Sequence, residues 1–109
     1  MINPLCAKAQ VQGSALWGAS QVMAERLTLK DGAFEQSNFH DYTPIRLADV
    51  PPIDVELIDS GHHPSGVGEP ASTVVAPAVA NAIYNAVGAR VRHVPITAEA
   101  VLAGMKKKA

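Results

Sequence analysis

Cysteine is almost absent from this 109-residue chain: Cys6 stands alone, so no internal disulfide can form. A single thiol without a nearby basic partner reads as a small buried hydrophobe rather than a nucleophile. Aromatic residues supply only 5% of the sequence although 48% is hydrophobic. Alanine and valine make up much of the difference, which points to helices with small side chains that pack closely against other protein. An excess of positive charge is missing too. The formal net charge is -1, which argues against a phosphate-backbone footprint and a nucleic-acid partner. The basic run Lys106-Lys107-Lys108 reads as part of a solvated, frayed tail over 105–109. No apolar run approaches the roughly 18 residues of a membrane span, and no basic-then-apolar leader opens the chain. The expectation is a chain that stays where it is made, cytoplasmic by default, unless a partner carries it elsewhere.

The length fits one small domain that buries about two-thirds of its unfolded surface. Asn3-Pro4 reads as a helix entry with proline in the first position. Leu5, Ala9, Gly13, Leu16, Ser20 and Met23 then recur at helical spacing. Gly13 and Gly18 inside that helix each cost about 1 kcal/mol relative to alanine, and they permit close approach of a backbone or ligand. Arg26 to Lys30 alternates, meets Asp31-Gly32, and predicts a hairpin with a return strand over Ala33 to Asn38. Phe39 to Pro52 reads as a loop with some extended stretches, Ile53 to Ile58 as a half-buried strand, and Ser60 to Pro70 as a surface or ligand-facing loop. A second helix presents Val75, Ala78, Val79, Ala82, Ile83, Ala86 and Val87 on one face. Ser72 or Thr73 caps it, Pro77 sits in its first turn, and Gly88 stops it. Val91 to Ile96 reads as extended, and Thr97 to Lys106 as a terminal helix with Glu99 and the lysines matched to its dipole. The class is α+β: a small mixed domain with helices packed on a short antiparallel sheet.

Chemistry is carried by few residues. His40, His62, His63, His93 and Cys6 match no closed zinc pattern, so no metal ligands are assigned. No Gly-x-Ser-x-Gly elbow is present, and Gly66-x-Gly68 lacks the third glycine or lysine of a phosphate loop. Glu69 remains. It lies in Gly66-Val67-Gly68-Glu69-Pro70-Ala71, between glycines that allow close backbone approach and a proline that fixes φ. One reading is a loop carboxylate that favours a helix N-terminus. The other is a general base, which needs a partner to activate, such as a metal centre supplied from outside this chain.

Several stretches together resemble a known family. Asn3-Pro4 followed by Gln10-Val11-Gln12-Gly13, then Leu16-Trp17-Gly18, the loop Gln36 to Tyr42, Gly66 to Pro70, and the helix Ala76 to Ile83 occur in the family's order. They are similar to the C-terminal end of the large, molybdopterin-binding subunit of the xanthine dehydrogenase and aldehyde oxidase family, nearest the isoquinoline 1-oxidoreductase beta-subunit type. The resemblance covers nearly the whole chain and implies one partial molybdopterin-binding domain over 1–109. It implies that Glu69 is the general base at a molybdenum centre and that Gln10 hydrogen-bonds the pterin. Gly68 matches the small residue beside the base, and Gly13 belongs to a bare helix face that approaches the dinucleotide. The implied cofactor is molybdopterin cytosine dinucleotide. The implied partners are the remainder of the large subunit and an iron–sulfur small subunit, and the implied reaction is hydroxylation of an N-heterocycle or oxidation of an aldehyde. Gln12 departs from the glutamate usual at that position. The chain resembles only the tail of a much longer subunit, so by itself it is expected to bind cofactor poorly and to turn over nothing. The competing expectation is a non-catalytic remnant whose small-residue helix faces make a homo-oligomer or another subunit contact.

Overall fold

A computed structural model describes residues 1–106. Its elements are helix α1 (Pro4–Met23), a hairpin of strands β1 (Leu29–Lys30) and β2 (Ala33–Phe34), a 3-10 turn at Leu47–Asp49, helix α2 (Pro70–Val87) and helix α3 (Ala98–Lys106). The class is α+β, three helices with a two-stranded antiparallel sheet.

Helix α1 begins as its first residues dictate. Asn3 is extended, and its side chain accepts the Cys6 N–H at 3.0 Å, while Pro4 needs no donor at the first helical position. The face it buries shares with the expected stripe only Ser20, which is buried, and Leu16, which is half-buried. Ala7, Ser14, Gly18, Ala19, Ser20 and Val22 are buried, whereas Leu5, Ala9, Gly13 and Met23 are exposed. Size explains the exchange. Helix α2 crosses so closely that a Cβ on Gly18 would lie 2.9 Å from the Ser72 carbonyl oxygen and 2.9 Å from a Val75 methyl. Only small residues fit such a crossing, so the large ones turn outward. Cys6 is exposed, not buried as its residue type suggests, because it lies beside Leu5 on the outward face.

Helix α2 starts at Pro70, before the point its apolar period marks. Ser72 and Thr73 are therefore not caps. They lie in the first turn, and their hydroxyls donate back to the carbonyls of Glu69 (2.8 Å) and Pro70 (2.7 Å). Pro77 likewise lies within the helix rather than in its first turn. Of the expected face, Val75, Val79 and Ile83 are half-buried, while Ala78, Ala82, Ala86 and Val87 are exposed. Gly88 ends the helix in the left-handed conformation (φ 71), its N–H bonded to the Tyr84 carbonyl.

The hairpin turns on Asp31 (φ 51) and Gly32 (φ 81), the pair of positive φ values a two-residue loop needs. Register pairs Leu29 with Phe34 and Lys30 with Ala33. Pairing stops well before Asn38, because Asp41 captures the backbone: its carboxylate accepts N–H bonds from Ser37 (2.9 Å) and Asn38 (2.9 Å) and bends the chain. Those backbone donors hold the Asp41 carboxyl below its usual range. Tyr42 donates to the Glu25 carboxylate, and that bond raises its phenol. Ile53 to Ile58 is not a strand of any sheet among the described residues, although its exposure alternates as a strand's does.

The buried centre lies at the C-terminal end of α1. Ala19 and Val22 join Ala89 and Val91, and the Ile96 N–H donates to the Val22 carbonyl at 2.6 Å. Helix α3 is capped by Thr97, whose hydroxyl accepts the Ala100 N–H, and Gly104 lets it approach Ala89. Glu99 in the first turn is held below its ordinary range, first by a backbone N–H and then by the Thr97 hydroxyl. Met105 and Lys106, expected in a frayed tail, belong to this helix, while Lys107, Lys108 and Ala109 lie outside the described residues. No large side chain among the described residues is fully buried. The radius of gyration is 17.1 Å, against about 13 Å for a compact domain near this length.

Candidate functional site

Helices α1 and α2 meet on one side and diverge on another, leaving an open cavity of about 570 Å³ between α1 and the start of α2. Gln10, Gly13, Gly68 and Glu69, singled out from the sequence, all line it. They come from elements far apart in the chain, and the crossing at Gly18 is what brings them together.

Glu69 stands immediately before α2 as its N-cap residue, yet its carboxylate makes no cap hydrogen bond. Another helix does that work. The Ser72 N–H, in the first turn, donates both to the Glu69 backbone carbonyl and to the buried Ser14 hydroxyl of α1, each at 2.9 Å. Among the described residues the Glu69 side chain enters no hydrogen bond or ion pair, so its carboxylate is uncommitted at the positive end of the helix dipole. Glu69 is exposed. A dry site around it therefore requires walls beyond this chain.

Gly13 is open: an added Cβ there would meet nothing within 4 Å, as at Gly68. Neither Gly66 nor Gly68 has positive φ, so the loop uses their small size and not a left-handed turn. Gln12 points away from the cavity. Its amide donates to the Ile53 carbonyl at 3.0 Å, a bond that the glutamate of the resembled pattern could not donate.

Sequence reading missed Ser14, Trp17, Gln21 and Ser72, which complete the cavity lining. The signal was available in part. Gln10, Ser14, Trp17 and Gln21 follow one another at helical spacing, a polar stripe beside the small-residue face. Trp17 is 61% exposed and is the chain's one tryptophan. No cluster of three His, Cys, Asp or Glu placed to hold a metal ion is found among the described residues.

The model of the molybdopterin cofactor-binding domain matches residues 1–51, which include Gln10 and Gly13. The membrane-bound aldehyde dehydrogenase [pyrroloquinoline-quinone] of Gluconacetobacter polyoxogenes is 46% identical over 106 residues, 97% of this chain and 14% of that protein. The beta subunit of isoquinoline 1-oxidoreductase from Brevundimonas diminuta is 35% identical over 105 residues, 96% of this chain and 13% of that one.

This chain belongs to the xanthine dehydrogenase and aldehyde oxidase family of molybdopterin-binding subunits.

The fold agrees with the family. The crystal structure of quinoline 2-oxidoreductase from Pseudomonas putida 86 superposes with a TM-score of 0.74 at 22% identity, covering 98% of this chain and 15% of that one. The chain thus spans 13% to 15% of the length of these relatives. No helix among the described residues is long and apolar enough to cross a membrane.

Proposed function

We propose that this chain is the base-bearing part of the molybdopterin-binding subunit of a molybdenum hydroxylase, which hydroxylates an N-heterocycle or oxidises an aldehyde. The observation that carries the reading is the shared cavity: Glu69, whose carboxylate is unpaired, and Gln10 line the same space, beside the bare backbone of Gly13. On this reading residues 1–109 form one partial molybdopterin-binding domain. The cofactor is molybdopterin cytosine dinucleotide, and the partners are the remainder of the large subunit and an iron–sulfur small subunit.

The donor set fits such a cofactor. Gln10 and Gln21 present amides that can both donate to and accept from a pterin's hydrogen-bonding edge. Gly13 and Gly68 leave room where any larger side chain would intrude, so a planar group can lie against the backbone. When bound, the cofactor supplies the two-electron redox chemistry, with the protein placing it. Glu69 acts as general base, taking a proton at a carboxylate oxygen from the nucleophile that attacks the substrate carbon. Ser14 is a positioning residue: by taking the side-chain cap position on the Ser72 N–H it leaves the Glu69 carboxylate free.

The test has two readouts. In an assembly reconstituted with the rest of the large subunit, molybdenum is expected by elemental analysis. The fluorescence of Trp17, on the cavity wall, is expected to change when cofactor enters. A preparation holding pyrroloquinoline quinone and no molybdenum would overturn the cofactor assignment. A stable, metal-free homo-oligomer that never associates with a larger chain would favour the non-catalytic remnant instead.

A further inference from the structure

The segment from Ile53 to Ile58 is the most unusual part of the molecule outside the cavity. Exposure alternates along it: Ile53, Val55 and Leu57 are half-buried, while Asp54, Glu56 and Ile58 are exposed. That period of two is the mark of an extended strand with one covered face. The covering element is α1. The Ile53 carbonyl accepts from Gln12, residues 54 to 57 line a cavity with Pro4 and Lys8, and Ile58 lies with Asn3 and Cys6. The segment therefore runs antiparallel to the first half of α1.

Its backbone has no partner. From Asp54 to Ile58 no N–H or carbonyl takes part in a hydrogen bond within the described chain. Helices and hairpins elsewhere satisfy their own groups, and a strand so patterned and left unpaired is a template for strand addition. A second copy of this chain is a poor occupant. Self-pairing in either central antiparallel register sets Glu56 opposite Asp54 or Glu56 of the copy, and like charges directly opposite destabilise a sheet. The relatives extend far beyond the 13% to 15% that this chain spans, so a subunit of their kind contains ample further chain.

We infer that Ile53–Ile58 is the strand through which this chain joins a sheet in the remainder of the large subunit, its backbone pairing with an edge there while Val55 and Leu57 stay against α1. The inference rests on the proposed function, which supplies that partner. Gln12 gains a role from it: its amide, bonded to the Ile53 carbonyl, sets the register at which the strand is offered.

The experiment compares two proteins: the 109-residue chain alone, and the Gluconacetobacter polyoxogenes relative in which the matching stretch is replaced by residues 1–106 of this chain. Amide hydrogen exchange is read at residues 54–58. Exchange at nearly the unprotected rate in the free chain and at least about 100-fold slower in the chimera is expected. Glu56→Pro and Leu57→Pro remove donors that point to opposite sides of the strand, so at least one should abolish the protection of its neighbours or the assembly itself. A soluble, molybdenum-bearing chimera with fast exchange at 54–58 would overturn the strand assignment and leave the proposed function standing. A chimera that never assembles, while the unaltered relative does, would remove the proposed function and the inference with it. Protection in the free chain that grows with concentration would replace the partner strand with a second copy.

Discussion

Gly13 and Gly18 share one helix and one residue type, yet they stand in opposite surroundings. At Gly18 a methyl group would strike the backbone of Ser72 and a side-chain methyl of Val75, both at 2.9 Å. At Gly13 it would meet nothing. One glycine closes the helix crossing, and the other opens onto the cavity that the crossing creates. The same helix costs, about 1 kcal/mol at each glycine relative to alanine, are thus offset by packing at one position and left uncompensated within this chain at the other. An uncompensated cost beside an unpaired carboxylate marks a surface shaped for something other than stability.

Five substitutions or conditions sharpen or break that contrast. The largest effect is expected at Glu69. In a reconstituted assembly Glu69→Gln should lower turnover by about 10²- to 10⁴-fold, the range of general-base catalysis, while molybdenum content stays unchanged. Full activity in that variant would remove Glu69 from the mechanism. On the packed side, Gly18→Ala should destabilise the chain by about 1–3 kcal/mol, as overpacking does, read from the urea midpoint. An unshifted midpoint would mean that α1 and α2 do not cross so closely. Ser14→Ala, which removes the side-chain acceptor of the Ser72 N–H and leaves it the Glu69 carbonyl alone, should cost up to about 1 kcal/mol and reduce turnover, with Ser14→Thr recovering part of both. Gly13→Ala should have the opposite sign: up to about 1 kcal/mol more stable, with lower cofactor content in the assembly. Stabilisation with full cofactor content would show that the bare face touches nothing.

The smallest effect concerns pH. Asp41 has a folded-state pKa below its unfolded value, because backbone N–H groups of Asn38 and Ser37 favour its charged form. Its contribution is therefore complete above the ordinary carboxylate range and is lost as pH falls through the lowered folded value, below about pH 4. Amide resonances of Ser37 and Asn38 should move together in that window, while those of the α1–α2 crossing stay put. Asp41→Asn should flatten the response.

Local grammar was legible wherever the chain satisfies its own backbone. Asn3-Pro4 opening α1, Asp31-Gly32 turning the hairpin, Gly88 ending α2 and Thr97 opening α3 are each decided by a residue's φ preference or by a short side chain within reach of an orphan N–H. Faces were less legible. Apolarity suggested Leu5 and Met23 as inward positions of α1, but in a crossing this tight residue volume outranks hydrophobicity, so Ala7, Ser14 and Gly18 are buried instead. The start of α2 was hidden for a related reason. The side chain that caps its first turn belongs to Ser14, more than fifty positions earlier, and no local pattern can announce such a cap.

By itself the sequence determined the residue inventory of the cavity, glutamine and glycine on one helix and glycine and glutamate on one loop, because those types carry their chemistry and their conformational limits wherever they are placed. Only the tertiary structure decided that these residues share one space, that Ser14 rather than Glu69 caps α2, and that Ile53–Ile58 alternates like a strand without a neighbour. The physical reason is that hydrogen-bond satisfaction and close packing are settled between segments. A residue's own preferences say which bonds it can make, and the approach of another backbone, at Gly18 above all, says which it does.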